Sequence, residues 1–418
     1  MTPLQDMLPL AGDLFDGLAG LSRDGVGITR DSYGAGETAA MQYLAEQAAS
    51  HGLQSSFDAA GNMMIDLPGY GGGPAVWIGS HLDSVPQGGN FDGAAGVIAG
   101  LLCLIALRRK NLAPPRPVRV AALRGEESAW YGKAYMGSSA LFGKLDEQDL
   151  ALRRRDGKGT LADAFAALGA DLDSIRAGKP LVNPADIAAY LELHIEQGPV
   201  MVARNLPTAV VTGIRGNIRH GHIQCLGEAG HSGAVPRWLR HDAVFAMAEL
   251  INRLDDHWRI LLERGLDLVI TSGIVGTPPE EHAISRIPGR VGFSFEVRSQ
   301  SSDTLEAFYH LMRTEADTIG RSRGVRFEFD RRIHSAPARM DDAIVRRLLD
   351  ISGRQGLPVE SLPSGAGHDA AIFANAGIPS GMIFVRNANG SHNPQEAMEL
   401  ADFIAGAGLL YDAVSTAA

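Results

Sequence analysis

The chain has 418 residues, 45% hydrophobic and 21% charged, the balance of a globular protein of two or three domains and not of a disordered, collagen-like or coiled-coil chain. Its 38 basic and 48 acidic residues leave a net charge of −10, a poor match for phosphate backbones or anionic membranes, so neither nucleic acid nor membrane is expected as a partner. Cys103 and Cys225 make no disulfide framework, no basic residue precedes Arg23 to open a secretory leader, and the apolar stretch 94–107 falls short of a membrane span; the expected location is the cytoplasm.

Read from the N-terminus, residues 36–52 carry helical spacing, with Met41, Leu44 and Ala48 on one face and Gly52 as a C-cap. Residues 62–67 read as a strand, closed by the turn-forming segment PGYGGGP at 68–74. The unbroken apolar run AVWIG at 75–79 is that of a strand buried on both faces; a helix over 93–109 and a second such strand over 118–123 follow. Strands alternating with helices predict an α/β domain with a largely parallel sheet. Residues 191–195 add another short strand.

After about Val211 the texture changes. Residues 218–226 alternate weakly, 241–254 are helical, and 268–275, 290–297 and 325–329 read as strands, with a helix over 303–320 between the last two. That strand–helix–strand–strand–helix–strand order belongs to a two-layer α+β unit. From about His334 the first style returns, with a helix over 341–353, the glycine-rich SGAGHDA and a strand over 381–385. The predicted organisation is an α/β domain with a mostly parallel mixed sheet flanked by helices, residues 1–210 and 332–418, interrupted by an inserted α+β domain, residues 211–331.

Four segments carry chemistry. In GSHLDSVPQGGNFDGAAG, His81 and Asp83 stand just beyond a buried strand and Asp92 stands where the next helix begins. Ligands in open α/β sheets bind beyond the carboxyl ends of strands, so His81 and Asp92 stand where a metal could sit. Asp83 can orient the His81 imidazole through its other ring nitrogen. Alone, His81 would pass for an ordinary hydrogen-bonded histidine. In RGEES, Glu126 and Glu127 follow strand 118–123 and can take different roles, one ligating and one holding a proton; alone, they would pass for a solvated pair. LELHIEQGPV places His194 near a strand end, and GSHNPQE places His392 just after strand 381–385. Separate strand ends thus deliver three imidazoles and two carboxylates, a set suited to a pair of zinc-like or manganese-like ions sharing one carboxylate.

These segments resemble the two-metal amidohydrolases of the M20 peptidase clan. The resemblance runs through Gly-Ser-His81-Leu-Asp83 to Asp92-Gly, Glu126-Glu127, His194-Ile-Glu196-Gln197-Gly-Pro, Gly-His231-Ser-Gly with Arg240-His-Asp242-Ala, Ser-Gly-Ala-Gly-His368-Asp369-Ala, and Ser391-His392-Asn-Pro. HIEQGP and GHDA narrow it to the hydantoinase/carbamoylase branch, which contains N-carbamoyl-L-amino-acid hydrolases, allantoate amidohydrolases and β-ureidopropionases. It extends from about residue 25 to the C-terminus. It implies two divalent ions per subunit (Zn, Mn, Co or Ni), one held by His81, Asp92 and His194, the other by Asp92, Glu127 and His392, with Asp92 bridging. It implies Glu126 as the catalytic acid/base, and His231, reaching the partner subunit's active site, as an oxyanion stabiliser. It implies Gln197, Arg298, Ser285 and Ser391 as substrate contacts, with Arg298 gripping a carboxylate, and an inserted domain that closes as a lid and forms a homodimer. The implied reaction cleaves a linear C–N bond in an N-carbamoyl amino acid or ureido acid, releasing amino acid, ammonia and carbon dioxide.

Three departures bear on the substrate. Ser285, in HAISRIP, stands where the family has an asparagine; Ser128-Ala129-Trp130-Tyr131 replaces a small-residue, Arg, Phe pattern; Arg237 and Trp238 follow His231 where Met and a varied residue are usual. None is among the implied ligands. The competing readings are an N-acyl-amino-acid or dipeptide hydrolase of the same clan, and a non-catalytic binding protein on this scaffold. Degenerate relatives usually lose ligands or the base, whereas this chain keeps five ligand residues and Glu126.

Overall fold

Four strands that read as buried apolar runs pair side by side and in parallel: Ser380–Val385, Ile187–Ile195, Ala75–His81 and Val118–Leu123. Because they are parallel, their carboxyl ends emerge at one edge of the sheet. Thr208–Ile214 extends the sheet antiparallel beyond Ser380–Val385, and Met63–Asp66 and Gln54–Phe57 extend it antiparallel beyond Val118–Leu123, so the sheet is mixed with a parallel centre.

The computed structural model describes residues 4–69 and 72–416; Tyr70 and Gly71 of the expected turn at 68–74 lie outside the described residues. The chain forms two compact units, one built from the segments up to Ile214 and from Arg339 onward, the other Arg215–Ala338. Thr208–Ile214 pairs with Ser380–Val385, which carries the first unit past the change of texture near Val211.

In the first unit, helix Ala94–Arg109 is buried from Ala94 through Leu107. A helix apolar all round has to be buried on every side. It packs on strands Ala75–His81 and Ile187–Ile195 and is covered by helix Leu400–Ser415. The approach is close: a Cβ on Gly96 would stand 2.3 Å from the Leu193 carbonyl oxygen. On the other face, helix Asp369–Ala374 packs on the same two strands, with Phe373 stacked on Tyr190 at 3.8 Å between centroids. The helix expected over 36–52 is Ala35–Ser50, with Gly52 just beyond it at φ +75.

In the second unit, Val269–Thr271, Arg290–Ser299, Gly216–Leu226 and Arg326–Phe329 form an antiparallel sheet in that order. Val291, Phe293, Phe295 and Val297 alternate into a core shared with helices Ala243–Glu263 and Ser302–Arg323. The strand expected over 268–275 is broken into Val269–Thr271 and Val275–Gly276, because Ser272 and Gly273 interrupt the apolar run. Among the described residues, no helix is long and apolar enough to cross a membrane.

Candidate metal centre

Strand register builds the centre. Trp77 pairs with Tyr190 and Ile78 with Leu191; continuing three residues along both strands sets His81 beside His194. Their rings stack with centroids 5.7 Å apart. Asp92, at the entry to helix Ala94–Arg109, points between them, with Oδ1 3.1 Å from His194 Nε2 and 3.5 Å from His81 Nε2. Its other oxygen, Oδ2, lies 3.3 Å from His392 Nε2, which in turn lies 3.2 Å from Glu127 Oε1. His81, Asp92 and His194 form one group able to hold a metal ion, and Asp92, Glu127 and His392 a second, each with its ligand atoms within 4.8 Å. Asp92 is common to both.

The imidazoles are oriented for ligation. His81 Nδ1 faces the Asp83 carbonyl oxygen at 3.0 Å and His194 Nδ1 faces the Ile195 carbonyl oxygen at 2.9 Å. A ring nitrogen that donates to a carbonyl leaves the other as the lone-pair donor, here the Nε2 atoms that face Asp92. His194 Nε2 accepts from the Gly93 N–H at 3.2 Å, in keeping with that tautomer. Gly93 has φ +66, and a Cβ there would lie 2.5 Å from the His81 ring, so only glycine fits.

Asp83 does more than orient His81. Its Oδ1 accepts from the Glu126 N–H and its Oδ2 from the Glu127 N–H, both at 3.1 Å, and Oδ2 also accepts from the Ser32 hydroxyl. One carboxylate therefore ties the His81 loop to the glutamate pair. Glu126 belongs to neither ligand group; its Oε2 lies 4.0 Å from His81 Nε2. Burial pushes its carboxyl well above the ordinary range, against the pull of His81 and with help from Glu127, Asp369 and Asp83. Burial opposes ionisation of Asp92 as well, but the surrounding His194, His392 and His81 rings outweigh it and hold that carboxyl well below its usual value.

Gln197 sits against the same carboxylate, its Nε2 donating to Asp92 Oδ2 at 2.8 Å, while its buried Oε1 has no hydrogen-bond partner among the described residues. Gln197 and His392 both adopt positive φ, +62 and +61, a backbone cost tolerated where position matters. Ser391, expected on the substrate, has its hydroxyl between carboxylates, 2.6 Å from Asp92 Oδ2 and 2.6 Å from Glu396 Oε2. Glu396 also accepts the Phe91 and Asp92 N–H groups at 2.8 and 3.2 Å. Glu396 ends the GSHNPQE segment, four residues past His392, and nothing in that spacing marks it as a partner of Asp92.

Arg30 and Glu37 fall in no motif, and only the fold brings them to the centre. Arg30 is fully buried and donates to the Leu82 carbonyl oxygen at 2.5 Å and to Asn90 Oδ1 at 3.0 Å, bracing the loop between His81 and Asp92. Glu37 accepts from Arg124 at 2.7 Å and from the Gly125 N–H at 2.8 Å, fixing the approach to the glutamate pair. The GHDA segment supports the centre from beneath. His194, Glu192 and His368 also bring potential ligand atoms together. Glu192, however, accepts from Ser80 and from the Ala370 N–H, both at 2.9 Å, and His368 Nε2 meets the Ser364 hydroxyl at 2.8 Å.

The remaining expected site residues lie in the second unit. His231 is exposed on the short strand Gly230–His231, which pairs with Arg286–Ile287; next to it the Ser232 N–H donates to the Ser285 carbonyl oxygen at 2.8 Å. Arg298 lies on strand Arg290–Ser299, 3.0 Å from Glu296 Oε1.

Comparison with known proteins agrees with this architecture. The sequence model of peptidase family M20/M25/M40 matches residues 77–416. An N-carbamoyl-L-amino acid amidohydrolase of Geobacillus stearothermophilus is 35% identical over 395 residues, covering 93% of both chains. An allantoate amidohydrolase of Escherichia coli is 32% identical over 383 residues, 91% of this chain and 90% of that one. A crystal structure of a hydantoinase/carbamoylase family amidase from Burkholderia multivorans superposes with a TM-score of 0.86 at 27% identity over 97% of both chains. The chain belongs to peptidase family M20/M25/M40, in the hydantoinase/carbamoylase branch that its motifs resemble.

Proposed function

We propose that the chain is a metal-dependent amidohydrolase that cleaves the linear C–N bond of an N-carbamoyl amino acid or ureido acid, releasing amino acid, ammonia and carbon dioxide. The relatives named for N-carbamoyl-L-amino acids and for allantoate support the bond type. The observation that carries the reading is a carboxylate left over: Glu126 stands at the rim of the ligand cluster, 4.0 Å from His81 Nε2, and belongs to neither ligand group.

The residues present fit two divalent ions. Three Nε2 atoms and two carboxylates converge, two of the imidazoles are held by backbone carbonyls in the ligating tautomer, and Asp92 offers one oxygen to each side. His81, Asp92 and His194 would hold one ion and Asp92, Glu127 and His392 the other; Zn, Mn, Co and Ni all suit such a set. When bound, the ions would bring the pKa of a water toward neutrality and polarise the substrate carbonyl.

The protein's own groups do the rest. Glu126 takes a proton from the attacking water and returns it to the leaving nitrogen. Gln197, held against Asp92 by its side-chain amide, contacts the ureido group. Arg298 offers its planar fork to the substrate carboxylate, with Ser285 as a shorter companion donor. Ser391, whose hydroxyl bonds Asp92, contacts the substrate beside that carboxylate. His231, from the partner subunit of a homodimer joined through the Arg215–Ala338 unit, supplies a donor to the tetrahedral oxygen, and that unit closes as a lid in a cytoplasmic enzyme.

The test is turnover of a panel of N-carbamoyl, ureido and N-acyl acids with Mn, Co, Ni and Zn added in turn. Ammonia release from the carbamoyl or ureido acids is the expected result. Cleavage of N-acyl acids or dipeptides alone would move the chain to another reaction of the clan.

A further inference from the structure

Trp130 stands three residues past Glu127, where the sequence departs from the family pattern. A substitution so close to the glutamate pair invites the expectation of a changed substrate pocket. The structure puts the indole elsewhere: it is buried in an apolar cluster with Tyr33, Tyr131 and Phe165, and its Nε1 donates to the Ser84 carbonyl oxygen at 2.8 Å.

We propose that Trp130 is a positioning residue that clamps the loop bearing Glu126 and Glu127 to the loop bearing His81 and Asp83. The inference rests on the roles given above to those two glutamates. The Glu126 and Glu127 N–H groups both converge on the single carboxylate of Asp83. Two bonds to one group leave a hinge about that group. The Trp130–Ser84 bond is a third contact off the hinge, between the same two segments, and it removes the remaining rotation. Ser84 is itself fixed, its N–H donating to the Arg30 carbonyl oxygen at 2.8 Å and its hydroxyl accepting from the Arg30 N–H at 2.9 Å.

The indole is held from outside as well. The Arg154 guanidinium lies 5.0 Å from the ring centroid and pairs with Asp31 Oδ2 at 2.5 Å, and the Arg155 N–H donates to the Trp130 carbonyl oxygen at 2.8 Å. In so dry a place the Ser84 carbonyl has little access to water as a substitute partner, so the bond is costly to lose.

If Trp130 were only core filling, its shape would matter and its N–H would not. Replacing it with 3-benzothienylalanine, which keeps the shape and lacks the N–H, separates the two; Trp130→Phe is the second variant. Chelator-treated full-length protein is titrated with Mn²⁺ by calorimetry, and kcat and KM are measured on the substrate panel. Loss of an outer-shell contact of this kind costs ~10-fold or more. The expected result for both variants is one of two Mn²⁺ binding events weakened ~10-fold, kcat down ~10-fold and KM within about twofold, with the isostere melting a few degrees below wild type, the cost of the unpaired Ser84 carbonyl. An isostere equal to wild type in both readouts would overturn the clamp. So would equal weakening of both binding events, the mark of general loosening and not of a clamp on one side. If wild type turned over nothing on the panel while the selective Mn²⁺ effect held, the clamp would stand and the proposed reaction would fall.

Discussion

Replacing Gly93 with alanine should disable the centre without touching a ligand. The position has φ +66, and a Cβ would stand 2.5 Å from the His81 ring. Ordinary contact begins near 3.4 Å, so the ring would have to retreat by about 0.9 Å (3.4 − 2.5). It has little freedom to do so, being 2% exposed with Nδ1 held 3.0 Å from the Asp83 carbonyl oxygen. The backbone at Gly93, with φ +66 and ψ −48, adds on the order of 1–3 kcal/mol of strain for any residue with a Cβ. Displacement of a reacting constellation by about 1 Å costs on the order of 100-fold in rate. Gly132→Ala is the control, because Gly132 has φ +74 and nothing within 4 Å of the added carbon, so it bears the strain alone. Melting temperature, bound metal per chain and kcat would be measured for both. Both variants should lose stability, Gly93→Ala the more because the clash adds to the strain, and Gly93→Ala alone loses metal from the His81 side and about 100-fold in kcat. If the two variants behaved alike in metal content and turnover, the reasoning about His81 would be refuted.

Two further outcomes are expected. Glu126→Gln keeps the ligand set and should retain its metal while losing roughly 10²–10⁴-fold in kcat; metal analysis alongside steady-state kinetics checks this, and near-normal turnover would remove Glu126 from the chemistry. Hydrogen bonds to Asp92 and Glu127 outweigh partial burial and raise His392 from its ordinary 6.5 to about 11, so without an ion it carries a proton at neutral pH. Ligation needs the neutral ring, so metal binding should release about one proton at this site and tighten ~10-fold per pH unit between pH 7 and 8.5; calorimetry in buffers of different ionisation heat would read it, and a flat pH dependence would contradict it.

Much of the centre was legible because each ligand ends or follows a strand whose apolar run is unmistakable, and parallel strands expose their carboxyl ends together. His81, Glu127, His194 and His392 all announce themselves in this way. Asp92 was legible from its place at a helix start. The supporting groups were not. Arg30 and Glu37 act through backbone carbonyls and N–H groups of segments 50 to 90 residues away, and no local pattern marks such a partner. Ser391 lies beside a ligand in sequence, but only the fold shows its hydroxyl turned toward Asp92 and Glu396. In the second unit the order of elements followed from alternation and helical spacing. The break near Ser272 and Gly273 escaped because the flanking residues keep their apolar character. Trp130 could be flagged from sequence only as a departure; its burial and its bond to Ser84 depend on the fold.

The most direct measurement is anomalous diffraction from crystals of the protein loaded with Mn²⁺ or Zn²⁺. Two peaks per chain are predicted, one ligated by His81, Asp92 and His194, the other by Asp92, Glu127 and His392, with Glu126 unligated beside them. A single peak, or ions held by other residues, would contradict the account.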